Sequence, residues 1–158
     1  MARHRRGEGC PAVLFLDLDG FKAVNDGYGH AAGDQLLHAV AARLLATVRA
    51  SDLLARLAGD EPVVLCEAHP DEDRTDGVAA LATRLRRCFA EPFALDCGRL
   101  EIGASIGVAR APVETAEQLL ARADAAMYVD KRQRQRQAGR PQSAGPGCRR
   151  TPTGQVTG

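Results

Sequence analysis

Asp17-Leu18-Asp19-Gly20-Phe21-Lys22 ends the apolar run Val13-Leu14-Phe15-Leu16, and Ala58-Gly59-Asp60-Glu61 separates Leu53-Leu54-Ala55-Arg56-Leu57 from Val63-Val64-Leu65-Cys66. The first run is short, rich in strand formers and closed by two acids that flank Leu18, so it predicts a strand delivering carboxylates to the edge of a sheet. The second stretch predicts two strands joined by a tight turn with Asp60 at its tip. If the first strand lies beside that hairpin, Asp17 and Asp60 converge although they are far apart in the chain. Two carboxylates suit a hard divalent cation such as magnesium, which takes oxygen ligands and completes its shell with waters and phosphates.

Outward from these strands, Leu36, Leu37, Val40, Ala41, Leu44, Leu45 and Val48 recur at helical spacing, which predicts a helix from about Ala31 to Arg49 with one apolar face. Val78 to Phe89 reads as a second helix. Phe93 to Leu95 and Leu100 to Ala109 read as an antiparallel pair around Asp96-Cys97-Gly98. Thr115-Ala116-Glu117-Gln118 is a capping box opening a last helix that turns Leu119, Leu120, Ala123, Met127 and Tyr128 inward, with the Tyr128 hydroxyl at the surface. The elements predict an α+β fold, a mixed central sheet with helices on its faces. Glu67 to Asp76 lacks the spacing of a calcium loop and reads as solvated.

Four blocks in order resemble the diguanylate cyclase, or GGDEF, family from about Val13 to Arg136. They are Asp17 to Asp26 with Gly29-His30 and Gly33-Asp34; Arg56-Leu57-Ala58-Gly59-Asp60-Glu61-Pro62; Ser105 to Ala109; and Ala123 to Tyr128 with Lys131. The resemblance implies a palm like that of nucleotide cyclases and polymerases, and condensation of two GTP to cyclic di-GMP with release of pyrophosphate. It implies magnesium (or manganese) on Asp17, the Leu18 carbonyl and Asp60, with Asp60 also helping to activate the attacking hydroxyl and Glu61 supporting the metal site. Asn25 and Asp34 would read guanine, Lys22 and Lys131 would hold phosphates, and Gly59 would let backbone approach them. Asp19 is expected to orient the site. Arg49-Ala50-Ser51-Asp52 is similar to the family's inhibitory motif for cyclic di-GMP, with Arg49 and Asp52 as its contacts. Each subunit would hold one GTP, so a homodimer is implied.

The chain departs from the family pattern at Ala58, which stands for the first signature glycine, and at Pro62, which stands for an aromatic residue and removes a backbone donor. The family's usual opening segment is absent before Val13, so the front looks truncated. These departures support an alternative, a weak or inactive domain that binds GTP or cyclic di-GMP as a signalling module. Asp17-Leu18-Asp19-Gly20 also resembles the opening motif of haloacid-dehalogenase-like phosphatases. The acid such enzymes need four residues after a later Gly-Asp is replaced by Val64 after Asp60 and by His38 after Asp34.

At 158 residues, 45% hydrophobic, the chain predicts one modest domain over residues 11–137, between a short basic segment (1–10) and a disordered tail (138–158). A net charge of +1 gives no argument for a nucleic acid polymer or a membrane, and no apolar run approaches the length of a membrane helix. Cys10, Cys66, Cys88, Cys97 and Cys148 show no metal-ligand spacing and cannot all pair, which points to a reducing cytoplasm.

Overall fold

The computed structural model describes residues 10–68, 76–111 and 115–138. Most of the basic N-terminal segment, most of the Glu67 to Asp76 loop and the tail beyond Ala138 lie outside them. The elements in chain order are β1 (Cys10–Asp19), α1 (Phe21–Tyr28), α2 (His30–Leu45), β2 (Leu53–Ala58), β3 (Glu61–Ala68), α3 (Asp76–Arg87), β4 (Phe93–Leu95), β5 (Gly98–Leu100), β6 (Gly103–Arg110) and α4 (Ala116–Ala138). The four-stranded sheet has the order β2-β3-β1-β6, and β4 and β5 form a separate hairpin. This is the expected α+β class. The expected mixed sheet is antiparallel at each of its three pairings.

β1 lies between β3 and β6, and its residues from Ala12 to Leu18 are all buried. Because successive strand residues point to opposite faces, its side chains divide into two sets. Ala12, Leu14, Leu16 and Leu18 join Leu36, Val40 and Leu44 of α2 and Val78, Leu81 and Leu85 of α3 in the larger core. Val13 and Phe15 face the other way, with Val63, Ala109 and the α4 residues Leu119, Ala123 and Met127. Each fully buried Leu contributes about 1.5–3 kcal/mol of hydrophobic stabilisation.

Helix α4 can lie this close to the sheet because residue 107 is glycine. A Cβ there would collide with the Ala123 carbonyl and the Met127 backbone. The helix starts at the predicted capping box: the Gln118 N–H donates to Thr115 Oγ1, and the Thr115 N–H donates to Gln118 Oε1, both at 3.2 Å.

Four local readings need correction. Tyr128, expected to turn inward from α4, is exposed. A short helix, α1, precedes α2, and Gly29 at φ 87° separates them. α2 ends at Leu45 rather than near Arg49, and Leu45 is exposed. Leu100 to Ala109 is two strands, because the chain leaves the β4–β5 hairpin after Leu100 and enters the main sheet at Gly103.

Candidate active site at one end of the sheet

The alternation that sends Val13 and Phe15 toward α4 continues to Asp17 and Asp19. On α4 the four-residue step that brings Leu119, Ala123 and Met127 onto the sheet continues to Lys131. Apolar residues therefore meet apolar residues along most of this seam, and at its end acids meet bases. Lys131 Nζ donates to both oxygens of Asp17, at 2.9 and 3.0 Å. Arg134 Nε donates to Asp19 Oδ2 at 3.0 Å, and Ser105 Oγ donates to Asp19 Oδ1 at 2.6 Å. Asp17 is buried and Ser105 fully so. Gly103 is part of the same packing, since a Cβ there would stand 2.6 Å from Arg134 Nη2. These two periodicities account for both partners: Lys131, expected on phosphate, holds Asp17, and Arg134, for which no role is expected from the motifs, holds Asp19.

The β2–β3 hairpin adds the remaining acids. Ala58 pairs with Glu61 across a two-residue turn, Gly59-Asp60, and Gly59 takes φ +39°. A positive φ at the first turn residue suits glycine. Ala58 has no such φ, so the alanine in place of the signature glycine carries no backbone strain. Pro62 is buried opposite Arg56, beside a register shift between Arg56 and Ala58, and it immediately precedes Val63, the first residue of β3 paired to β1. The hairpin tip is tied to β1 by the Leu18 N–H, which donates to the Asp60 carbonyl at 3.3 Å.

Asp17, Asp60, Glu61 and Lys131 form one electrostatic group. Burial raises the Asp60 carboxyl above its ordinary value, and the neighbouring Asp17 adds to that shift. Burial raises Glu61 as well, followed by repulsion from Asp17, Asp60 and Asp124. Lys131 is raised first by its hydrogen bonds to Asp17. Crowded carboxylates whose ionisation is disfavoured are what a divalent cation would relieve. Among the described residues no three acidic, His or Cys side chains form a metal cage. The donor set fits a magnesium-type ion that takes one or two carboxylates and leaves its other positions to water and phosphate.

The other predicted residues occupy two further places. Lys22 is exposed in the first turn of α1, and Asp34 is exposed at the fifth residue of α2. Asn25 of α1 packs its amide on Gly33, next to Asp34, where any Cβ would overlap Asn25 Oδ1. Arg49 and Asp52 stand before β2, at the opposite end of that strand from Asp60, roughly 17 Å away along a six-residue strand. There the Arg49 N–H donates to Asp52 Oδ2 at 2.8 Å, and the Asp52 N–H donates to the Arg49 carbonyl at 3.0 Å.

The sequence profile of the diguanylate cyclase GGDEF domain matches residues 1–137. The chain belongs to the GGDEF family. It is 50% identical over 124 residues to the bifunctional diguanylate cyclase/cyclic di-GMP phosphodiesterase MucR of Pseudomonas aeruginosa, an alignment covering 77% of this chain and 18% of MucR. The chain thus spans less than a fifth of that relative. Among solved structures, a sensory box/GGDEF family protein from Caulobacter crescentus superposes with TM-score 0.74 at 42% identity, covering 79% of this chain and 80% of that one. The GGDEF domain of DgcB from the same organism, solved with cyclic di-GMP, superposes with TM-score 0.70 at 27% identity over 79% and 74% of the two chains. These relatives link the GGDEF fold described here to cyclic di-GMP metabolism. Among the described residues no helix is long and apolar enough to cross a membrane.

Proposed function

We propose that this GGDEF domain is a diguanylate cyclase that condenses two GTP into cyclic di-GMP. The observation that carries this reading is the meeting of Asp17, Asp60 and Glu61 with Lys131 at one end of the sheet. In each half-reaction the 3′-hydroxyl of one GTP attacks the α-phosphorus of the other. A phosphodiester forms, the bond to the β-phosphate breaks, pyrophosphate leaves and the hydroxyl proton is released. Repeating this in the opposite direction closes the ring. A magnesium or manganese ion, held by Asp17, the Leu18 carbonyl and Asp60, would supply charge neutralisation and a lowered hydroxyl pKa.

The chain's own residues position the reactants. Asp60, with its disfavoured ionisation, is suited to accept the hydroxyl proton, and Glu61 beside it supports the same acidic edge. Lys131 moves from Asp17 to phosphate as nucleotide and cation arrive, exchanging one anionic partner for another. Lys22 adds a second ammonium for phosphate. On the guanine edge Asp34 accepts from ring and amino N–H groups while the Asn25 amide can donate and accept, and Gly59 leaves open space above the turn for a phosphate chain. One domain holds one GTP, so catalysis takes place between two copies facing each other. Arg49 and Asp52, remote from the hairpin tip, form a separate site at which cyclic di-GMP inhibits.

The second reading is a binding module, and Pro62 is the observation that favours it, since it alters the hairpin on which Asp60 is carried. Incubation with GTP and magnesium, followed by chromatography of the nucleotides, separates the two. Cyclic di-GMP and pyrophosphate appear if the domain is a cyclase. Calorimetric binding of GTP or cyclic di-GMP without turnover would establish the module instead.

A further inference from the structure

We propose that Asp130 and Arg86 are positioning residues for the nucleotide site: together they clasp the open edge of β6 and fix the register of α4, which sets where Lys131 stands. The inference rests on the reading of Lys131 as a phosphate ligand.

β6 is the last strand of its sheet, and Ile106 presents both its backbone N–H and its carbonyl off that edge. The N–H donates to Asp130 Oδ2 at 2.9 Å. The carbonyl accepts from Arg86 Nη2 at 3.4 Å, and Arg86 Nη1 donates to the same Asp130 oxygen at 2.9 Å. Two side chains thus satisfy the two outward groups of one edge residue and bond to each other. They come from opposite faces of the sheet. Arg86 belongs to α3, which covers the larger core, whereas Asp130 belongs to α4, which covers the smaller one. The clasp wraps the edge and ties the two helical layers together.

Its position gives it leverage on the site. Asp130 and Lys131 are adjacent, so their side chains leave the helix about 100° apart and differ by about 1.5 Å in height. One grips the edge of β6 while the other reaches over its face to Asp17. Gly107 fixes how closely α4 approaches the sheet, but the glycine contacts are backbone collisions that limit approach without selecting a register. The Asp130 bond to a single peptide selects it. A slip of one residue would move Lys131 Nζ away from Asp17, and errors of about 1 Å in positioned groups cost up to about a hundredfold in rate.

The test compares Asp130→Ala, Asp130→Asn and Arg86→Met in the full chain, by GTP kinetics and by the NMR signal of the Lys131 ammonium, which its ion pair slows enough to observe. Asp130→Ala is expected to raise KM for GTP about tenfold and erase the ammonium signal. Asp130→Asn keeps an oxygen acceptor for the Ile106 N–H and should stay within about twofold of wild type with the signal retained. In a Lys131→Ala background Asp130→Ala should add less than about twofold, because both act through one contact. A fall in melting temperature with KM and ammonium signal unchanged overturns the proposal, as do multiplicative effects of the two substitutions. Should Asp130→Ala not fold, Arg86→Met carries the same two readouts, with about a threefold rise in KM and a weakened ammonium signal expected and no change in either contradicting. If wild type turns over no GTP, the cyclase reading fails by itself. The ammonium signal then decides on positioning: its loss in Asp130→Ala supports the clasp, and its absence from wild type or its persistence in the variant overturns it.

Discussion

At the scale of single residues, the Asp60 carboxyl is the most exacting position. Burial and Asp17 raise it above its ordinary value of 3.8, so its ionisation opposes folding. The folded chain holds that proton more tightly than the unfolded chain. Its contribution is therefore most favourable at or below about pH 4 and is lost as pH rises through the raised value. In metal-free buffer Asp60→Asn should melt higher than wild type at pH 7, with the difference closing toward pH 4. A variant that melts lower at pH 7, or a gap independent of pH, would mean that Asp60 is not crowded by other carboxylates. The remote pair gives a contrasting expectation. Arg49→Ala should weaken cyclic di-GMP by about 1.5–3 kcal/mol, the range for charge-assisted hydrogen bonds. Calorimetry should show Asp60→Asn leaving that affinity nearly unchanged, and equal loss in both variants would reduce Arg49 and Asp52 to a turn. Residue identities at the acidic edge were readable because they sit where strands end. What the residue-level reading missed was the ion pairing, which depends on two periodicities meeting, at Asp17 with Lys131 and at Asp19 with Arg134.

Among the elements, the β2–β3 hairpin and α4 carry the geometry. Pro62 lines a groove of about 230 Å³ with Leu37, Val40, Leu44 and Leu54. An aromatic ring at 62 would enter that groove and restore a backbone donor, so Pro62→Phe should raise stability by about 1 kcal/mol and turnover with it. Thermal melting together with initial rates checks this; a lower melting temperature with unchanged turnover would mean that the hairpin is built around its proline. At α4, Gly107→Ala should cost about 1–3 kcal/mol or more, because the methyl meets backbone that cannot rotate away. A denaturant midpoint equal to wild type would contradict the packing described. Strong local signals made β1, the β2–β3 hairpin, α3 and the α4 capping box legible. The break at Glu101-Ile102 was not, since β5 and β6 are both strand-like and only pairing to different sheets separates them. α1 escaped notice because its eight residues bury no side chain fully.

For the whole molecule, the α+β class followed from the order of helical and strand patterns, and membership of the GGDEF family followed from four motifs in sequence. Neither pattern contains the antiparallel pairing of every strand in the main sheet, which is a property of long-range contacts. The domain brings Asp17, Asp60, Glu61 and Lys131 together at one end of the sheet, and under the proposed reaction each copy would bind one GTP. Activity should therefore rise faster than linearly with protein concentration where the dimer is partly dissociated. The central claim is that Asp60 acts in cyclase chemistry, and one measurement tests it most directly: chromatography of nucleotides after incubation of wild type and Asp60→Asn with GTP and magnesium. Cyclic di-GMP from wild type and none from a folded Asp60→Asn is the predicted result, whereas equal product from both, or none from wild type, would contradict it.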